Sequence, residues 1–396
     1  MVLYRKYRPK TFSEIIGQEH IVKTLTNAIS TGEISHAYLF SGPRGSGKTT
    51  IARLLAKAVN CETLEPVIGG GEGWDSEEVS EKINKDFQKK HEIRKKIGNK
   101  YEPCNECQSC LEINQGKSID LIEIDAASNR GIDEIRELRD GIRFAPVRAK
   151  YKVFIIDEVH QLTKEASNAL LKTLEEPPAH AIFVLATTEV HKILPTIASR
   201  CQHFDFKKLS FLEIIKKLAY IAKNEGVEIE KPAFELIAKN SEGSIRDAES
   251  LLDQVMTMED KNITAKEVEE ILGLVEFTAI SKFVDFIAKK DESGAIRYIN
   301  ELNEKGCDLL QLSKALVDYL RELLILNIDQ NLLNPLISGH GEDEIKILQE
   351  QAKEFSQGGL KNALKFFIKA GNDIKYANLP QLPLELAVVE AISVTS

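Results

Sequence analysis

The 396-residue chain has no run of 18 apolar residues, which excludes a membrane-spanning helix. Its opening stretch, Met1 to Lys10, lacks both a seven-residue apolar core and a small-residue cleavage site, so no secretory signal is expected. The protein is read as soluble, cytoplasmic and without a membrane partner. Gly (23) and Pro (12) are not in excess, and 43% of residues are hydrophobic, which excludes collagenous, low-complexity and wholly disordered chains. Positive charge is also lacking: 52 Lys and Arg stand against 61 Asp and Glu, a net charge of −9. Coating nucleic acid by bulk charge is therefore excluded, although a local basic face is not. One such bias exists. Residues 1–60 hold nine bases and three acids, a surplus of +6, whereas residues 211–270 carry −6. An anionic ligand near the N-terminal region is the first expectation. Only six cysteines occur, and in an intracellular chain they do not suggest a disulfide framework.

The length suffices for two or three domains. Up to residue 206, short apolar runs alternate with helical patterns. Ala37–Phe40, Leu121–Ile124, Val153–Ile156 and Ile182–Leu185 read as strands buried on both faces of a parallel sheet. Between them lie patterns such as Lys164–Glu175, with Ala166, Ala169, Leu170 and Leu174 on one face. This alternation predicts an α/β domain with helices on both faces of the sheet. Beyond Phe206 the strand signals stop. Helices are expected over Phe211–Asn224, Lys231–Asn240, Ser244–Thr257 and Ala265–Leu272, with capping-box starts at Ser210/Glu213 and Thr264/Glu267. From Phe277 the pattern is helical throughout, with a stripe at Leu309, Leu312, Leu316, Tyr319, Leu320 and Leu323. The expected division is an α/β domain over 1–206, a small helical domain over 207–272 and a larger all-α domain over 273–396. Residues 62–103, with Gly69 to Gly73 and a charged stretch, read as an insertion holding one exposed helix, Ser76–Ile97.

Gly42-Pro43-Arg44-Gly45-Ser46-Gly47-Lys48-Thr49 fits G-x-x-x-x-G-K-[ST], directly after one strand run and before the helical run Thr50–Val59. In that context the glycines let backbone N–H groups curl around a phosphate, and the helix N-terminus adds its positive end. Lys48 is expected to reach the β- and γ-phosphates and Thr49 to ligate Mg²⁺. A carboxylate ending a buried strand is costly unless paired or on a metal. Asp157, after Val153–Ile156, is expected to hold Mg²⁺ through water, and Glu158 to polarise the attacking water as general base.

These elements, with Tyr4 to Phe12, Ile16-Gly17-Gln18-Glu19-His20, Asp157-Glu158-Val159-His160, Asn168 to Pro178, Ser199-Arg200-Cys201 and Gly243 to Ala248, resemble the bacterial clamp-loader ATPases, the gamma/tau family of DNA polymerase III within the AAA+ proteins. The resemblance covers nearly the whole chain except 62–103. It implies an AAA+ P-loop domain, a helical lid and a helical collar. It further implies an ATPase, not a polymerase, working in a five-membered ring with delta, delta-prime and further gamma/tau copies to load a sliding clamp onto primed DNA. A short, gamma-like form is implied, because the longer tau form carries further C-terminal domains.

The resemblance also implies roles for single residues. Arg200 reaches the ATP of the neighbouring subunit, where a guanidinium in trans is typically worth 10³–10⁵ in rate. Thr188, rather than Thr187, senses the γ-phosphate and orients water. Arg246 touches ATP from the lid. Arg8, Pro9, Ile16 and Gly17 surround the adenine, and Gly42 through Thr50 (Arg44, Gly45, Ser46, Gly47 and Thr50 included) cradle the phosphates. Ser128, Asn129 and Arg130, between a strand and the helix expected over Ile132–Ile142, lie where the family tracks the DNA backbone, and an ordinary helix cap is an equal reading.

Cys104-x-x-Cys107-x-x-Cys110 puts three thiols within seven residues, and Cys61 makes four ligands for tetrahedral Zn²⁺, a structural site with no open position over 61–110. In the family the first cysteine stands only about nine residues before the others; here 42 intervene, which costs roughly 1.4 kcal/mol against on the order of 10 kcal/mol from a structural zinc site. Cys201 and Cys307 are expected to pack. Two other readings compete: a clamp-loader stator that does not hydrolyse ATP, and another AAA+ branch-migration or repair ATPase. The intact Lys48, Thr49, Asp157 and Glu158 disfavour the first; the zinc cysteines and Ser199-Arg200-Cys201 disfavour the second.

Overall fold

The computed structural model describes residues 2–64, 101–129, 141–257, 262–273, 275–329 and 342–394. The helix expected over Ser76–Ile97, Arg130, and all but the end of the helix expected over Ile132–Ile142 lie outside the described residues. The chain divides into two compact units. One comprises Met1–Ile221 with Ala238–Ser250, the other Ala222–Ile237 with Leu251–Ser396. The boundary falls inside the helices Phe211–Glu225, Lys231–Asn240 and Ile245–Met256.

The first unit is built on a five-stranded, all-parallel sheet. Its strands are β1 (Ala37–Ser41), β2 (Leu121–Asp125), β3 (Lys152–Asp157), β4 (Ala181–Thr187) and β5 (Gln202–Asp205), in the order β2-β3-β4-β1-β5. Every residue of β1 and β4 is buried, as continuous apolar runs covered on both faces must be. Alternation splits them between two cores. Tyr38 and Phe40 join Ile51, Leu54 and Leu55 of the helix Lys48–Val59 on one face. Leu39, Phe154, Phe183 and Leu185 join Leu170 and Leu174 of the helix Lys164–Glu175 on the other. Each such side chain contributes roughly 1.5–3 kcal/mol on burial. Phe154 and Phe183 stack across β3 and β4 with centroids 5.3 Å apart.

Two edges depart from the expectation. β2 is not covered on both faces: it is an edge strand in which Glu123 and Asp125 are exposed, and Glu123 pairs with Arg53. β5 was not anticipated because an edge strand needs only alternate apolar residues, and here Phe204 alone is buried. The parallel register aligns Ser41 with Thr187 and Asp125 with Asp157. The polar ends of four strands thereby meet at the carboxyl edge of the sheet, where open α/β sheets bind ligands.

The second unit contains the helices Phe277–Ala288, Glu292–Glu304, Leu309–Ile328, Glu342–Glu354, Gln357–Asp373 and Leu382–Val394. The stripe from Leu309 to Leu323 is buried in their common core, with Phe283, Phe367 and Val388. Asp308 caps the longest helix by accepting from the N–H groups of Leu310 and Gln311. Thr264 and Glu267 form the expected capping box. The all-helical expectation beyond Phe206 misses one detail: Glu228–Ile229 and Asn262–Ile263 pair as two short parallel strands. No helix among the described residues is long and apolar enough to cross a membrane.

Candidate functional site

The loop between β1 and the helix Lys48–Val59 depends on its glycines. Gly42, Gly45 and Gly47 all have positive φ, at 140°, 72° and 98°, a region that side chains with a Cβ rarely enter. A Cβ on Gly42 would strike the Phe206 carbonyl, and one on Gly45 would strike the Ser244 hydroxyl. Ser244 also accepts from Asp247 N at 3.3 Å, so the residue that starts the helix bearing Arg246 also packs on the loop. Lys48 is buried, and its Nζ donates to the carbonyls of Gly42 (2.8 Å) and Pro43 (2.9 Å). Burial lowers its pKa, an effect opposed by Glu158 and Asp157. Thr49 Oγ1 donates to Asp157 Oδ2 at 2.8 Å, so the two oxygens predicted to share a cation already face each other.

Glu158 adopts φ +49°, a left-handed conformation costly for a residue with a side chain. Its carboxylate accepts from Thr188 N (3.2 Å) and Thr188 Oγ1 (2.9 Å). Thr187 faces elsewhere and meets His160 Nδ1 at 2.9 Å. His160 is nearly buried and lies 3.4 Å from Glu158 and 3.1 Å from Glu189. Of the two adjacent threonines, Thr188 is the one in contact with Glu158.

A cavity of about 480 Å³ is lined by Arg44 to Thr50, Asp157 and Glu158 together with Arg8, Pro9, Ile16 and Arg246. Thirteen residues singled out from the sequence thus come together at one place. Gly17 and Gly42 shape its surroundings without lining it: a Cβ on Gly17 would strike Leu209, which does line it. Thr188 and Arg200 also lie outside the lining. The sequence reading missed the rest of the wall, in which Tyr4, Ile15, Lys217, Ile245 and Glu249 are joined by Glu14, Asp125, Ala127 and Leu209. Only the helical spacing of Glu249 from Arg246 could have pointed to it. The Arg246 guanidinium lies 5.0 Å from the Tyr4 ring centroid, a cation–π contact that orients it. Burial pushes the Glu249 carboxyl up to about 7, against the pull of Lys217 and Arg8. Burial also lowers the Arg8 pKa.

Arg200 is about one-third exposed. Its guanidinium donates to Glu175 Oε1 and to the Thr196 carbonyl, both at 2.8 Å. Ser128 Oγ and Asn129 Nδ2 are bonded to Asp125, at 3.0 and 3.1 Å, in the turn after β2.

The four predicted cysteines converge. Their sulfurs all lie within 4.8 Å of one another, and no disulfide joins them. Tetrahedral coordination with Zn–S bonds of about 2.3 Å needs sulfurs about 3.8 Å apart, so the cluster fits that ion. Backbone amides already point at the sulfurs: Cys104 N at Cys61 (3.4 Å), Cys107 N at Cys104 (3.2 Å) and Cys110 N at Cys107 (3.5 Å). Hydrogen bonds from Cys107, Cys110 and Cys61 push the Cys104 thiol far below its ordinary range. Cys201, in contrast, packs against the core and is pushed up to about 11 by burial. Cys307 packs against the helical core.

Comparison with known families matches residues 17–98 and 66–210 to "DNA polymerase III, delta subunit", residues 213–260 to "DNA polymerase III clamp loader subunit, ATPase lid domain", and residues 263–396 to "DNA polymerase III subunits gamma and tau domain III". The chain is 41% identical to DNA polymerase III subunit tau of Bacillus subtilis over 98% of its own length and 62% of that protein's. It is 35% identical to DNA polymerase III subunit gamma of Buchnera aphidicola subsp. Schizaphis graminum, over 99% of its own length and 98% of that protein's. Against Escherichia coli tau it is 35% identical, over 99% of the chain and 55% of the relative. The chain thus spans less than two thirds of these tau relatives and nearly all of the gamma one.

Proposed function

Because the chain belongs to the gamma/tau family of DNA polymerase III clamp-loader subunits, we propose that it binds ATP with Mg²⁺ in the 480 Å³ cavity. Hydrolysis there serves to load a sliding clamp onto primed DNA. The observation that carries this reading is the meeting of Lys48, the Thr49–Asp157 pair and Glu158 in one cavity at the carboxyl edge of the sheet. A non-hydrolysing stator would have no use for that arrangement.

The chain's own groups divide the work. The amides of Gly45 to Thr49 and the N-terminus of the helix Lys48–Val59 bind the phosphates. Lys48 exchanges its loop carbonyls for phosphate oxygens. Thr49 and Asp157 hold Mg²⁺, which when bound neutralises charge on the β- and γ-phosphates. Glu158 takes the proton of the attacking water while Thr188 fixes its carboxylate. Arg246 meets the phosphates from the side of Tyr4, and the apolar wall of Pro9, Ile15, Ile16 and Ile245 takes the base. Arg200 of an adjacent copy completes the site, so turnover depends on assembly. The four cysteines hold Zn²⁺ as a closed structural site.

The remaining assignments follow the same reading. Residues 207–272 act as lid and 273–396 as collar in a five-membered ring with delta, delta-prime and further gamma/tau copies. Ser128 and Asn129, with Arg130, face the DNA backbone. Lys48→Ala should lower steady-state ATP turnover by about 100-fold or more and abolish clamp loading on primed DNA. Full loading by that variant would overturn the assignment.

A further inference from the structure

The segment between residues 9 and 14 is fastened in the middle and functional at both ends. Arg8 and Pro9 on one side, and Glu14, Ile15 and Ile16 on the other, line the cavity. Between them, Phe12 N and Ser13 N donate at 2.8 Å each to the two carboxylate oxygens of Glu102. Glu102 is 6% exposed and stands two residues before Cys104. The carbonyl of Lys10 accepts from Lys57 Nζ at 2.7 Å and from Asn105 Nδ2 at 3.1 Å. Lys57 is 2% exposed. It belongs to the same helix as Lys48 and stands four residues before Cys61. Its ammonium also donates to Asn105 Oδ1 (2.7 Å) and Asn114 Oδ1 (3.0 Å). Asn105, at φ +57°, sits in the turn between Cys104 and Cys107, a conformation that needs local support.

All but one of these bonds run from the cysteine segment, Glu102 to Asn114, to the strap of residues 9–14 or to the phosphate-loop helix; the Lys57–Lys10 bond ties the strap to that helix. A carboxylate that accepts from two consecutive amides, and a buried ammonium that donates to three oxygens, fix position more tightly than neutral bonds do. We propose that Glu102 and Lys57 are positioning residues that transmit the metal occupancy of the cysteine cluster to the nucleotide cavity, so that metal binding tightens nucleotide binding. This rests on the reading of the cavity as a nucleotide site and of the cluster as a zinc site. Phe12 also packs in the sheet core, so metal loss loosens the strap without removing it. Linkage makes the effect reciprocal: nucleotide must tighten metal by the same factor, about 5-fold or more for a coupling of this kind.

The test uses the full chain, zinc-loaded or stripped with a chelator, and measures the Kd for ADP by calorimetry. Zinc competition with a chromogenic chelator, with and without ADP, supplies the reciprocal factor. Removing zinc should weaken ADP about 5-fold or more, and ADP should tighten zinc equally. Glu102→Gln, retaining one zinc per chain, should bind ADP weakly and no longer respond to zinc. Lys57→Met should behave likewise, with a raised KM for ATP and little change in kcat. Equal ADP affinity of the loaded and stripped wild-type chains would overturn the proposal, as would unaltered coupling in Glu102→Gln. Failure to bind zinc at all, or ADP at all, is a separate result: it removes the reading beneath the proposal and the proposal with it.

Discussion

The cavity at the carboxyl edge of the sheet and the cysteine cluster lie in the same unit and flank the helix Lys48–Val59, yet they are built on opposite plans. In the cavity each chemical group rests on a partner it can give up. Lys48 sits on loop carbonyls, Thr49 on Asp157 and Glu158 on Thr188. In the cluster the four sulfurs face one another, backbone amides and the Thr63 hydroxyl. Four protein ligands around a metal would leave no position for a substrate, which suits a structural site. Exchangeable partners and an arginine held on the surface by Glu175 suit a site that changes state. Proximity in the chain therefore says little about purpose; the number of donors left free to exchange says more.

That contrast can be broken from either side. The largest effect should come from Cys107→Ser. It removes one of four thiolates from a site worth on the order of 10 kcal/mol. Mass spectrometry should show loss of the zinc, and thermal melting a large fall in stability of the first unit. Unchanged zinc content would remove the cluster from the closed class. Next comes Arg200→Ala. Nucleotide affinity of the isolated chain should be untouched, while turnover in the assembled ring falls by about 10³–10⁵. Normal turnover in the ring would make the cavity self-sufficient and erase its dependence on a neighbour.

The smallest effect concerns Glu249, the one buried acid of the cavity wall raised to about 7. In the folded state it holds its proton above the ordinary value of 4.5, so folding takes up a proton between those values. Its ionisation therefore costs stability as pH rises from about 4.5 to about 7, by no more than about 3 kcal/mol. Glu249→Gln should flatten that slope and raise the urea midpoint at pH 8 while leaving it nearly unchanged at pH 4.5. A wild-type slope of the opposite sign would show that Lys217 and Arg8, not burial, govern the group.

Much of this was visible in the residues. The runs Ala37–Phe40, Val153–Ile156 and Ile182–Leu185 became the central strands because continuous apolarity at strand length has few other uses. The glycine spacing of the phosphate loop was equally plain, since only glycine tolerates those φ values. The edges were not plain. β2 carries Glu123, which pairs across to Arg53, and β5 has a single buried residue, so neither shows its edge position in its own stretch of sequence. The far wall of the cavity was also hidden. Tyr4 stands more than 200 residues before Lys217 and Glu249, and nothing local marks Tyr4 or Lys217 as a neighbour of Lys48.

Local chemistry thus settles which groups this chain owns: a glycine-lined anion cradle, a strand-end carboxylate pair, four thiols and a surface guanidinium. Folding alone settles who meets whom. The parallel register carries Asp157 to Thr49, the close of the 42-residue gap carries Cys61 to Cys104, and Glu102 ties the strap of residues 10–13 to the cysteine module. The physical reason is range. Backbone conformation and hydrophobic period act over a few residues, whereas a hydrogen bond or a metal ligand set depends on distances of about 3 Å between groups that the chain itself leaves far apart.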